Sequence, residues 1–186
     1  AYLKMEKNWQ ILNEAAVDKG IITQWSVWKR TPREGDEGWA EYFVMIRRNA
    51  AQEKLNVDWE ELSYTVFKGK SKKSIDKMLS NEGIVKEMRS RTYKLETTTG
   101  WRGLEWEIGD KAYFHYMTQK NKDFIDYERT VWKPIAQQRI LDGYLKYWGI
   151  SKLVDSNDLT KELKSSSTHI AFNFPTRADK NASNLT

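Results

Sequence analysis

The chain has 186 residues, 39% apolar and 31% charged, which is enough apolar material for a packed core and rules out wholesale disorder. Its net charge of +5 comes from 31 Lys and Arg against 26 Asp and Glu spread along the whole chain, whereas a nucleic-acid binder gathers its cations on one face. The absence of Cys excludes disulfides, thiolate metal sites and cysteine nucleophiles, and no apolar run approaches the roughly 20 residues of a membrane-spanning helix.

In chain order, Tyr2 to Lys19 reads as a helix entered without a capping residue, and Gly20 stops it. Ile21–Arg30 and Trp39–Arg48 have strand character and flank a short loop holding Pro32, Gly35 and Gly38. Asn56–Lys68 carries Trp59, Leu62 and Val66 at helical spacing, with Asn56 or Asp58 able to cap. The Lys68, Lys70, Lys72, Lys73 and Lys77 run that follows reads as a solvated helix start, and Ser74–Ser90 as helical. Arg91–Thr99 looks extended, Gly100–Asp110 is a connector, and Lys111–Thr118 is an aromatic strand. A helix ending at Gly143, a strand over Tyr144–Leu153, a polar loop at Val154–Ser167 and a strand over Thr168–Thr176 complete the series. The start inside a helix and the tail, with its sequons at Asn181 and Asn184, make both ends read as cut.

A shift of 123 residues superimposes Trp9 on Trp132, Gly20 on Gly143 and Trp25 on Trp148, and it pairs Leu12 with Ile135 and Ile22 with Leu145. Each copy then reads helix, glycine stop, strand, loop, strand, with the matched tryptophans as core anchors. The chain is accordingly expected to be α+β, with one repeat over 1–103 lacking its first strand and a second over 104–186 lacking its last helix and strand. Each repeat is expected to be a ferredoxin-like, four-stranded antiparallel sheet with helices on its outer face.

The segment Glu128-Arg-Thr-Val-Trp132-Lys-Pro134-Ile, Gly143 and the Tyr147-Trp148 strand resemble the dimeric α/β-barrel superfamily, in particular tandem-repeat bacterial members of unknown function. The first copy departs from this pattern, with Gln10-Ile11 standing where Lys133-Pro134 does. The resemblance implies two sheets closing face to face into a barrel, and an exported or periplasmic location. It carries no catalytic residue set with it.

Strand parity then selects the barrel interior. Ile170, Phe172 and Phe174 alternate as the apolar set expected against the helices, which sends His169, Ala171 and Asn173 to the lumen. Tyr113, His115 and Met117 form the matching set on the earlier strand, although Phe114 and Tyr116 fit a lumen equally well. The candidate ligand-binding residues are therefore His115, His169, Tyr113, Asn173 and Trp148. Trp28, Trp101 and Trp106, which have no repeat partner, are candidates for a ligand platform. No His-Glu-x-x-His spacing, Walker loop, Gly-x-Gly-x-x-Gly or Gly-x-Ser-x-Gly occurs, and neither a metal nor a cofactor is assigned.

The expected function is a lumen that holds a small apolar or aromatic molecule without catalysis. Two other readings stay open: a cofactor-independent or haem-linked oxygenase-like enzyme using His115 and His169, and a structural subunit that completes its sheet with a partner chain or as a homodimer.

Overall fold

A computed structural model describes residues 1–35, 40–100, 106–157 and 167–177. The chain is α+β and divides into two compact units, Ala1–Met88 and Arg89–Thr186. No helix among the described residues is long and apolar enough to cross a membrane.

The first unit opens with helix α1 (Tyr2–Asp18), followed by strands β1 (Gln24–Lys29) and β2 (Tyr42–Arg47), which pair antiparallel as a two-stranded sheet. Helix α2 (Trp59–Val66) begins where Asp58 accepts a 2.9 Å hydrogen bond from the Glu61 amide. Helix α3 (Lys72–Leu79) begins at the Ser71 cap. The core forms because α1 turns Leu12 and Ala16 towards Ile22, Leu62, Phe67 and Ile75, with Trp9 and Trp25 packed against them. Ser74–Ser90 was expected to be one helix, but α3 stops at Leu79. Asn8 and the Trp9 indole of α1 donate to the carbonyls of Met78 and Leu79 at 3.0 and 3.1 Å, satisfying acceptors that a helix end leaves free. Beyond them Ser80 is extended, and Gly83 turns with a positive φ of 69°.

The second unit holds strands β3 (Arg91–Thr98), β4 (Tyr113–Met117), β5 (Leu145–Ser156) and β6 (His169–Pro175) in the order β3-β5-β6-β4, each pair antiparallel. β4 and β5 are thus parallel with β6 between them, and the helical segment joining them is a split crossover. That segment comprises α4 (Phe124–Tyr127), a π-turn (Glu128–Trp132) and α5 (Lys133–Leu141). Pro134 has no N–H to donate back into the preceding turn, a local reason for the α pitch to give way just before it. β5 continues to Ser156, inside the stretch expected to be loop, because β3 pairs with it that far.

Two expectations need correction. Arg91–Thr98, counted with the first repeat in a division at 103/104, belongs to the second unit's sheet. There it lies beside β5, on the edge opposite the one a ferredoxin-like fourth strand occupies. Among the described residues neither sheet closes into a barrel: one has two strands, and the other has four with β3 and β4 as edges.

The two helix–hairpin segments share detailed geometry. After α1, Gly20 donates to Val17 and Ile21 to Ala16. After α5, Gly143 donates to Ile140 and Tyr144 to Arg139, the same bonds shifted by 123. Both glycines take positive φ, 68° and 76°, as this helix ending requires. The hairpins agree as well: Trp25 faces Ile46, Val27 faces Val44 and Lys29 faces Tyr42, while Trp148 faces Asn173, Ile150 faces Ala171 and Lys152 faces His169. Ile22 and Leu145 are both fully buried. The helices themselves differ. Trp9 and Leu12 pack into the first core, whereas Trp132 and Ile135 are 45% and 46% exposed, so Trp132 does not anchor the second core.

Candidate functional site

All five candidate ligand-binding residues lie on one face of the four-stranded sheet. Tyr113 pairs with Asn173 and Asn173 with Trp148, His115 pairs with Ala171, and His169 with Met117. Partners directly opposite one another point to the same side. That side is packed by the helices and is not a lumen. Trp148, Ile150 and Leu145 pack with Ala136 of α5, joined by Met117, Phe124, Ile125 and Ile140. The expected parity is therefore inverted: Ile170, Phe172 and Phe174 face away from the helices. The run of aromatics on β6 suggested a core face, but β6 shares its sides with β5, where the larger apolar set of Leu145, Trp148 and Ile150 decides the packing.

His169 is 1% exposed, with its ring 4.9 Å from that of Phe124 and Nδ1 2.8 Å from the Thr168 hydroxyl. Its Nε2 is buried with no hydrogen-bond partner. Burial, opposed by Glu96 and helped by Lys152, holds its pKa below the usual imidazole range. His115 stacks on Tyr113 with ring centroids 6.3 Å apart. Among the described residues no three His, Asp or Glu side chains are grouped to hold a metal ion.

The opposite face is an aromatic layer. Phe114 meets Phe172 and Phe174 edge-on at 5.4 and 6.3 Å, Tyr147 meets Phe174 at 5.6 Å, and Trp106 lies 4.3 Å from Phe174. Tyr147 lies back across Gly149: a Cβ at that glycine would stand 2.5 Å from the Tyr147 hydroxyl. Phe114, Phe172 and Trp106 keep part of their surface exposed. Of the three unmatched tryptophans, Trp106 joins this layer, Trp28 lies on β1 of the first unit, and Trp101 falls outside the described residues.

At one end of this layer Arg91 sits 5.2 Å above the Tyr116 ring and donates to the Tyr93 hydroxyl at 3.4 Å. Arg91 and Tyr116 belong to opposite edge strands with two strands between them, a span of roughly 14 Å in a flat sheet. Their long side chains meet over the two strands between them and cover this end of the aromatic layer. Burial, reinforced by Tyr93 and opposed by Arg91, pushes the Tyr116 phenol up to about 12. Burial also raises Tyr93, against the pull of Arg91. Both phenols stay protonated at neutral pH and can donate hydrogen bonds.

Near Trp106, Asp110 takes a 2.7 Å bond from Lys146 and a 3.2 Å bond from Arg177, and Glu107 also pairs with Arg177 at 3.0 Å. Burial raises the Asp110 pKa, but the bonds from Lys146 and the Glu107 amide and the nearby cations outweigh it, so the carboxylate stays below its usual range. This cluster ties the segment before β4 to β5 and to the residues after β6.

Alternation on β4 and β6 marked Phe114, Tyr116, Phe172 and Phe174 but assigned them to the wrong side. Arg91, Tyr93 and Tyr147 were not among the candidate binding residues; Arg91 and Tyr93 stand two apart on β3, the one alternation that points to them. Compared with protein-family models, curated proteins and solved structures, the chain matches none of them.

Proposed function

We propose that this protein is a non-catalytic binding module that holds a small apolar or aromatic molecule against the aromatic face presented by Phe114, Tyr116, Phe172 and Trp106, with Arg91 at its end. The observation that carries this reading is the Arg91 guanidinium over the Tyr116 ring, which sets a cation and two phenolic donors at the end of the aromatic face. Rings offer stacking and edge contacts to a planar guest, and a guanidinium beside them favours a guest with an anionic or hydroxyl group. The oxygenase-like reading has less support, since His169 lies under Phe124 on the other face.

Titration with anilinonaphthalene sulfonate, an aromatic anion, tests this reading, with near-UV circular dichroism to verify folding. Phe172→Ala and Arg91→Gln are each expected to weaken binding about tenfold, a loss of roughly 1.4 kcal/mol. Binding unaffected by both substitutions would place the probe elsewhere and remove the proposal.

We also propose that the two helix–hairpin segments descend from one duplicated unit, in the manner of the dimeric α/β-barrel superfamily. The shared glycine endings and hairpin register support this. The position of β3 beside β5 is read here as an exchange of strands between copies.

A further inference from the structure

We propose that a groove on the first unit, between α1 and Trp25 of β1, binds the primary ammonium group of a small alkylamine. The groove has a volume of about 230 Å³ and is lined by Gln10, Asn13, Glu14, Val17, Asp18 and Trp25. Its polar side chains are left mainly with acceptors. The Gln10 amide donates to Glu14 and the Asn13 amide to the Trp9 carbonyl, both at 2.8 Å. Asn13 is only 4% exposed, and its Oδ1 takes no hydrogen bond among the described residues. A carbonyl so far from solvent is costly to leave without a donor, and the groove is where a donor can reach it. Glu14 and Asp18 pair with no Lys or Arg among the described residues, in a chain that carries 31 of them. Both stand at the C-terminal end of α1, where no basic residue occupies the last turn and the helix dipole is itself negative.

The second unit shows that packing a helix on this tryptophan does not need these groups. At a shift of 123, Asn13, Glu14, Val17 and Asp18 correspond to Ala136, Gln137, Ile140 and Leu141, and Trp25 to Trp148. There Ala136 and Ile140 pack with Trp148 in the core. The first unit sets a buried amide at the alanine position and carboxylates at the glutamine and leucine positions. An alkylammonium ion brings three donors and a positive charge to Asn13 Oδ1 and the two carboxylates, while the indole and Val17 suit its apolar stem. No third carboxylate or imidazole joins them among the described residues, which leaves a divalent metal ion underprovided. The site has the opposite charge preference to the aromatic face of the second unit and does not depend on it.

Titration of the full chain with pentylammonium, followed by two-dimensional ¹⁵N NMR, is the test. The Trp25 indole N–H and the Asn13 side-chain amide are expected to shift with a dissociation constant on the order of a millimolar, as suits so small a ligand. Pentanol and pentanoate, which share the stem without the ammonium, are expected to leave both signals in place at the same concentrations. Glu14→Gln and Asp18→Asn, at exposed positions, should together weaken binding about tenfold, and added salt should weaken it further. Asn13→Leu, which keeps the volume and removes the acceptor, should weaken it comparably; far-UV circular dichroism verifies folding, and the carboxylate variants decide the matter if this one unfolds. Nα-acetyl-lysine methylamide as a second probe distinguishes a lysine side chain from a free amine as the source of the ammonium group. Pentanol binding as tightly as pentylammonium, or a double carboxylate variant with the wild-type constant, would overturn the proposal. So would a wild-type chain whose Trp25 and Asn13 signals stay still up to tens of millimolar amine.

Discussion

His169 carries a free-energy consequence that its position makes testable. Its pKa in the folded chain lies below the ordinary 6.5, chiefly through burial beneath Phe124. The unfolded chain thus takes up a proton near pH 6.5 that the folded chain refuses until lower pH. The stabilisation is complete above pH 6.5 and is lost as pH falls from there through the lowered folded value. Urea midpoints measured between about pH 7 and pH 5 are expected to drop for the wild type and to stay nearly level in His169→Gln. A drop of equal size in the variant would assign the titration to another group. The buried, unpartnered Nε2 gives the same expectation a structural basis, since a proton placed there would find no acceptor.

Among the elements, β5 is the most constrained. Gly149 leaves room for the Tyr147 ring to lie back across the strand and reach Phe174. Gly149→Ala is expected to cost about 1–3 kcal/mol by crowding that ring, and Tyr147→Phe should lower the cost of the alanine by removing the closest atom. A double-mutant cycle from denaturant unfolding would measure the coupling; strict additivity would show that the ring moves aside freely. How far the elements could be read from sequence follows the same physics. α1, the Asp58 cap and the glycine endings at Gly20 and Gly143 were legible because local chemistry sets them. The end of α3 was not, because it depends on Asn8 and Trp9 some 70 residues away. The exposure of Ile135 was hidden because a π-turn changes the helical period, and the sheet parity because β6 carries apolar residues on both faces. The grouping of Tyr113, His115, His169 and Asn173 on one side was readable from alternation alone, whereas which side the helices take depended on β5.

At the scale of the molecule the two units differ in how completely their strands are paired. β5 and β6 have neighbours on both sides and are mostly buried, while β1 and β2 pair only with each other among the described residues. A two-stranded sheet is marginal without support, and here that support comes from Trp25 and Ile22 packing on the helices. Amide hydrogen exchange is expected to show its strongest protection in Trp148–Ser151 and Ile170–Phe172, with β1 and β2 opening at lower free energy. Equal protection in the two hairpins would contradict this ranking. The matched registers also bear on what the scaffold tolerates. Between Lys29 and its partner Tyr42 lie 12 residues, and between Lys152 and His169 lie 16, yet the pairings on either side are the same. Of the longer stretch, Leu153–Ser156 continue β5 against β3, so the added length is taken up as strand. Four residues of extra length are thus absorbed at the end of one strand while the hairpin keeps its alignment.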